Sequence, residues 1–122
     1  MLAGKTVLIV ETEALIAIDI QSALETLGVA EVIVAFGSAE AQRLAGQWRT
    51  ASLAIIEVEM DRPDLIALIH EVTRSGIPTI AITADTRLVT GLADLPQVQV
   101  LAKPIPEATL LAALHQARTS QG

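Results

Sequence analysis

A chain of 122 residues with 52% hydrophobic content is the size of one typical domain and apolar enough to fill a core. Its 14 acidic against 8 basic residues, a net charge of -6, repel phosphate backbones and anionic lipid heads, which argues against direct nucleic-acid or membrane binding. The lack of cysteine excludes disulfides, thiolate nucleophiles and cysteine-ligated metals. The apolar run between Lys5 and Glu11 is too short for a signal peptide or a membrane span, so a cytoplasmic location is expected.

Short runs rich in Val and Ile alternate with segments of helical period, the pattern of βαβ units around a parallel sheet. Five units fit a single domain over residues 1–122, with a core from about residue 5 to 118. The first strand is Thr6 to Val10, and the helix after it places Leu15, Ile16, Ile20, Ala23, Leu24 and Leu27 on one stripe until Gly28 stops it. A second strand, Val32 to Phe36, leads to Ser38 as the N-cap of a helix through Ala41, Leu44 and Ala45. Gly46 to Ser52 reads as a loop before the third strand, Leu53 to Val58. Pro63 and Asp64 open a helix that runs to about Arg74 and ends at "SGIP", the turn into the fourth strand, Thr79 to Thr83. A weak fourth helix around Arg87 to Ala93 is interrupted by Gly91. The fifth strand is Val98 to Leu101, a last helix carries Leu110, Leu111, Leu114 and Ala117, and the tail "RTSQG" is expected to fray.

Ligands of open parallel sheets bind outside the carboxyl ends of the strands, where the strand order reverses. The chemically interesting residues fall at those ends. Glu11, Thr12 and Glu13 follow the first strand, Glu57 and Glu59 close the third, Thr83 ends the fourth, and Lys103 with Pro104 follows the fifth.

This ordered set, spread from "VLIVETEALIAIDIQSALETLG" through "TIAITA" to "LAKPI", resembles the receiver domain of response regulators, the CheY-like superfamily of two-component signalling. The resemblance implies a flavodoxin-like (βα)5 fold, a five-stranded parallel sheet with helices on both faces. It places a degenerate phosphoacceptor at Glu57, a degenerate acidic pocket at Glu11 and Thr12, and the switch and phosphate-pocket equivalents at Thr83, Lys103, Pro104 and Leu101.

The departures from the family carry as much information as the match. Family members hold Mg²⁺ with a second acid where this chain has Thr12, and they accept the phosphoryl group on an aspartate where this chain has Glu57. Leu101 replaces the switching aromatic, and Asp61 and Leu65 alter the loop after the acceptor. Mg²⁺ needs well-placed carboxylates, so weak or absent binding is expected, with Glu11, Glu57 and the Glu59 backbone as vestigial ligands. Glu57 also extends one methylene beyond Asp, and a misplacement of about 1 Å can slow in-line transfer roughly 10²-fold.

Plainer readings cover several residues. Thr12 serves as a cap for the first helix, Glu13 and Glu59 as solvated acids, Glu57 as a strand-end acid paired with Lys103, and Met60 as packing. Trp48 reads as a hydrophobic patch over a loop, and His70 and His115 as surface residues. The functional expectation is a pseudo-receiver, cofactor-free and not an enzyme, whose Glu57 reaches toward Thr83 and Lys103. Its partner would be a signalling protein, a histidine kinase or another regulator. A homodimer is expected through the weak fourth helix, the fifth strand and the last helix, using Val89, Leu92, Val98, Leu101 and Leu110. The alternatives are a working receiver phosphorylated at an unusual residue and, from another class, a flavodoxin-like enzyme; "VETEA" contains no glycine for a phosphate cradle.

Overall fold

The computed structural model describes residues 2–120, with side chains described through residue 117. The β-branched runs form five parallel strands, β1 (Thr6–Val10), β2 (Glu31–Ala35), β3 (Leu53–Glu57), β4 (Thr79–Thr83) and β5 (Gln99–Ala102), in the order β2-β1-β3-β4-β5. β3 and β4 are buried at every position because helices cover both faces, which is why Leu53 to Ile56 and Ile80 to Ile82 read as unbroken apolar runs. The pairs Val10↔Ile56, Glu57↔Ile82 and Thr83↔Ala102 set the carboxyl ends of four strands almost level.

Five helices follow the strands, two of them after β2 and none after β4: α1 (Ala14–Thr26), α2 (Ser38–Arg43), α3 (Ala45–Trp48), α4 (Pro63–Arg74) and α5 (Glu107–Ser120). One face of the sheet packs on α1 and α5 through Ala17, Ile20, Leu24, Leu110, Ala113 and Leu114. The other packs on α4 through Leu65, Leu68, Ile69 and Val72, joined by Ala41 and Trp48. Helices on both faces of one parallel sheet are the flavodoxin-like arrangement read from the sequence. Pro63 in the first turn of α4, with Asp64 there and Arg74 in the last turn, matches what a helix start and end require. Among the described residues no helix is long and apolar enough to cross a membrane.

Several local expectations are corrected. On α1 the buried stripe runs through Ala17, Ile20 and Leu24, leaving Leu15 and Leu27 exposed, with Leu15 78% accessible. Gly28, at φ +83°, ends that helix as expected. Ser38 does not cap α2: it lies inside the first turn, and its hydroxyl donates to Asp64 Oδ2 at 2.6 Å, tying α2 to α4. The expected loop after residue 45 contains α3, because Trp48 is fully buried and its Nε1 donates to the Ala41 carbonyl at 2.7 Å. Met60 is exposed, not packed.

The helix expected around Arg87 to Ala93 does not form. A single 3₁₀ turn, Thr86–Leu88, takes its place, capped by Asp85, whose Oδ1 accepts from the Arg87 amide at 2.9 Å. Gly91 has φ +126°, outside any helix, and Leu88 and Leu95 anchor the segment in the core. The expected interaction face shrinks accordingly: Val98 and Leu110 are buried, Leu92 and Leu101 half-buried, and Val89 is exposed. Of the tail expected to fray, Arg118 to Ser120 continue α5, and Gln121 and Gly122 lie outside the described residues.

Candidate functional site

The strand order reverses between β1 and β3, since the chain leaves β1 for β2 on one side and returns to β3 on the other. Glu11 follows β1 and Glu57 closes β3, so two carboxylates flank the crevice where ligands of such sheets sit. Both are buried, Glu11 completely. Burying unpaired charge is costly, and the partner comes from β5. Lys103 Nζ lies 2.8 and 3.0 Å from the two oxygens of Glu11, 3.3 Å from Glu57 Oε2 and 3.2 Å from Glu13 Oε1. The lysine thus sits among three carboxylates, with its side chain 6% exposed.

Its main chain is held as well. The Lys103 amide donates to the Thr83 carbonyl at 2.8 Å, and the peptide to Pro104 is cis. Glu13, expected to be solvated, is exposed yet pairs with this lysine. Leu101 is half-buried against the α1 and α5 face, with no aromatic ring at that place.

Thr12 has a different task from capping. Its backbone N–H and its hydroxyl both donate to Glu57 Oε1, at 2.9 and 2.7 Å. The amide of Glu13 in turn donates to Glu11 Oε2 at 2.8 Å, so the turn after β1 wraps its donors around the buried acids. Glu11 Oε1 accepts no directed hydrogen bond among the described residues and meets Lys103 only as an ion-pair contact.

These contacts push the two acids apart. Burial raises the Glu11 pKa above its ordinary value, only partly offset by Lys103 and the Glu13 amide, and the charge of Glu57 adds to the rise. Burial would raise Glu57 too, but the two Thr12 hydrogen bonds and Lys103 outweigh it and hold Glu57 below the ordinary value. Burial alone would lower Lys103, yet its bonds to Glu11 and the neighbouring negative charges raise it. Of the two acids, Glu57 is the more firmly ionised.

Glu57 pairs with Lys103 as expected but does not reach Thr83. Glu59 does. The Thr83 hydroxyl donates to Glu59 Oε2 at 3.2 Å, and the Ala84 amide donates to Glu59 Oε1 at 3.1 Å. Sequence reasoning treated this side chain as a solvated acid, although the spacing held a signal: residues two apart in extended chain point to the same side, which aims Glu57 and Glu59 at one edge.

The donor set does not match a Mg²⁺ site. The carboxylates of Glu11, Glu13 and Glu57 come close enough together to gather a cation, but the Lys103 ammonium already lies among them. The Glu59 carbonyl accepts from the Arg62 amide at 3.0 Å, and Thr12 supplies a hydroxyl committed to Glu57. His70 on α4 and His115 on α5 are not part of the cluster.

Solved structures place this arrangement. The signal receiver domain of an HD domain-containing protein from Pseudomonas fluorescens is 27% identical, with 96% of each chain covered and a TM-score of 0.75. The chain is a response-regulator receiver domain. The receiver is also similar to the response regulator PhyR from Brucella abortus, at 29% identity over 98% of this chain with a TM-score of 0.80. A variant of the anti-anti-sigma factor PhyR from Bartonella quintana is 28% identical over 99% of this chain, with a TM-score of 0.79. The receiver spans 51% of the length of each of these two PhyR chains. No protein-family model matches the sequence, and no curated protein does.

Proposed function

We propose that this receiver is a pseudo-receiver, a protein-interaction module of two-component-type signalling whose state is not set by Mg²⁺-dependent phosphorylation. The observation that carries the reading is the engagement of Glu57: Oε1 accepts both donors of Thr12, and Oε2 faces Lys103. A phosphoacceptor oxygen must approach in line with charge neutralised by a metal. Here the oxygens are held by protein donors, and the crevice cation is an ammonium. The module works without a bound cofactor and is not an enzyme.

A signalling protein is the proposed partner, a histidine kinase or another regulator, and the likeness to an anti-anti-sigma factor supports the second. Self-association through β5 and α5 belongs to the same proposal, with Val89 and Leu111 as the exposed apolar residues near that face. Sedimentation that finds only monomer at high micromolar concentration ends that part of it.

The decisive experiment is incubation with acetyl phosphate and Mg²⁺ followed by intact-mass measurement. No phosphoryl adduct is the expected result. An adduct on Glu57 or any other residue establishes a working receiver of unusual chemistry instead. An enzymatic role finds little support, since neither histidine lies at a strand end beside a nucleophile.

A further inference from the structure

Beyond the buried acids, the carboxyl end of β4 carries a second arrangement with a different logic. Thr83 Oγ1 and the Ala84 amide converge on one carboxylate, each donating to a separate oxygen of Glu59, at 3.2 and 3.1 Å. Two adjacent donors that fork onto the two oxygens of one group form a small oxyanion cradle. The Thr83 hydroxyl also accepts the Asp85 amide at 2.9 Å, which orients its own proton toward Glu59. Thr83 is fully buried and is further fixed by the bond from the Lys103 amide to its carbonyl, so the cradle is rigid.

The occupant is tethered just as firmly. Glu59 stands two residues beyond β3, where the Val58 amide donates to the Ile82 carbonyl at 2.9 Å and the Arg62 amide closes the turn on the Glu59 carbonyl. A weaker stitch runs the other way, from the Met60 amide to Asp85 Oδ2 at 3.4 Å. Asp85 then caps the 3₁₀ turn and pairs with Arg87 at 2.7 Å. Glu59 therefore joins the loop after β3 to the segment that replaces the expected fourth helix.

We propose that Glu59 is an intramolecular ligand that permanently fills the oxyanion cradle of Thr83 and Ala84, and so holds the segment from Ala84 to Leu88 in a single arrangement. The chain supplies from its own sequence the anion that would otherwise have to come from outside. In the unphosphorylated chain Glu57 and Glu59 use different donors, so the state of the cradle is read separately from the bonds of Glu57.

The test uses backbone amide NMR on the whole chain. In Glu59→Ala the Ala84 amide exchanges with solvent roughly ten- to hundredfold faster than in wild type, the size expected for loss of one hydrogen bond to a charged group. The Asp85 and Arg87 amide shifts move with it. Sodium acetate added to Glu59→Ala then returns the Ala84 signal toward its wild-type position in a saturable way. Sodium chloride at matched ionic strength does not, and acetate leaves wild type unchanged because its cradle is filled. Thr83→Val in the Glu59→Ala background abolishes the acetate response, and Glu59→Gln, which keeps one acceptor oxygen, shows a smaller Ala84 change than Glu59→Ala. Unaltered Ala84 exchange in a folded Glu59→Ala variant overturns the proposal, as does an acetate response equal to that of chloride. The same spectra report folding, and the mass measurement on acetyl phosphate fails or succeeds independently of them.

Discussion

Thr12 donates twice to a single oxygen of Glu57, once from its backbone and once from its hydroxyl, at 2.9 and 2.7 Å. By the family resemblance, Thr12 stands at the place of an acid and Glu57 at that of an aspartate, and the structure bonds these two residues to each other. One substitution answers the other: a neutral donor at position 12 lowers the repulsion a second carboxylate would bring beside Glu57 and satisfies an oxygen that burial would otherwise leave unpaired.

That pairing can be weighed directly. Thr12→Val keeps the shape and removes the hydroxyl, so Glu57 loses one charge-assisted hydrogen bond while the amide bond remains. Such bonds contribute about 1.5–3 kcal/mol. A urea titration should show a loss of that order. In the Glu57→Gln background the effect of Thr12→Val should shrink, and equal effects in both backgrounds would mean that the two residues are not coupled.

Lys103 offers the sharpest dependence on pH. Its folded pKa lies above the ordinary 10.5, so the stability it contributes is full below that value and is lost as pH rises through the higher folded one. Lys103→Met strips the counter-charge from two buried acids, and breaking a buried pair on one side costs about 3–5 kcal/mol. With Lys103 gone, Glu11 loses its main offset to burial and rises further, while Glu57 stays held by its two Thr12 hydrogen bonds. A carboxylate with a raised folded pKa favours the fold at low pH and loses that contribution as pH rises, so the deficit of the variant should be greatest near neutrality and smallest below the ordinary glutamate pKa of 4.5. A deficit that does not change with pH would contradict this account.

Mg²⁺ provides a third measurement. A ligand raises the melting temperature only as far as it binds the folded state, and the ammonium of Lys103 stands among the acids that a cation would need. Millimolar MgCl₂ should leave the Tm of the wild type within error of that in matched NaCl. Thr12→Asp combined with Glu57→Asp should gain a Mg²⁺-dependent rise. A clear rise in the wild type would show that Mg²⁺ displaces Lys103.

Trp48, the one tryptophan in the chain, reports on the opposite face of the sheet. Full burial and the bond from its Nε1 to the Ala41 carbonyl predict blue-shifted emission that resists iodide quenching. Trp48→Phe fills most of the space but leaves the Ala41 carbonyl without that donor, for a loss of about 1–3 kcal/mol in chemical denaturation. Emission at the wavelength of an exposed indole would refute the packing.

Sequence reading went furthest where periodicity and burial agree. β1 and β4 were placed to the residue, because strands covered on both faces must be apolar throughout and are bounded by turn residues. It went astray where a weak local preference met a tertiary constraint. The segment from Arg87 to Ala93 has helix-tolerant residues, but Gly91 takes a positive φ and Leu88 and Leu95 must both reach the core, so a short 3₁₀ turn and loop satisfy more of the chain than a helix would. Trp48 reads in the sequence as a hydrophobic patch over a loop, because a lone aromatic in a polar stretch carries no period to reveal the helix it sits on or its full burial.

By itself the sequence determined the alternation of strands and helices, and hence that Glu11, Glu57, Thr83 and Lys103 would meet at one edge of a parallel sheet. That much follows from the fixed geometry of the backbone, which carries every strand end of such a sheet to the same side. Only the tertiary structure decided which acid bonds which donor. Glu57 and Glu59 are chemically identical and aimed at the same edge, and a glutamate side chain has enough rotatable bonds to reach several partners. Thr12 and Lys103 converge on Glu57 from β1 and β5, leaving Glu59 to take Thr83 and Ala84. The choice is made by donors brought together from distant parts of the chain, a relation that no local pattern of residues encodes.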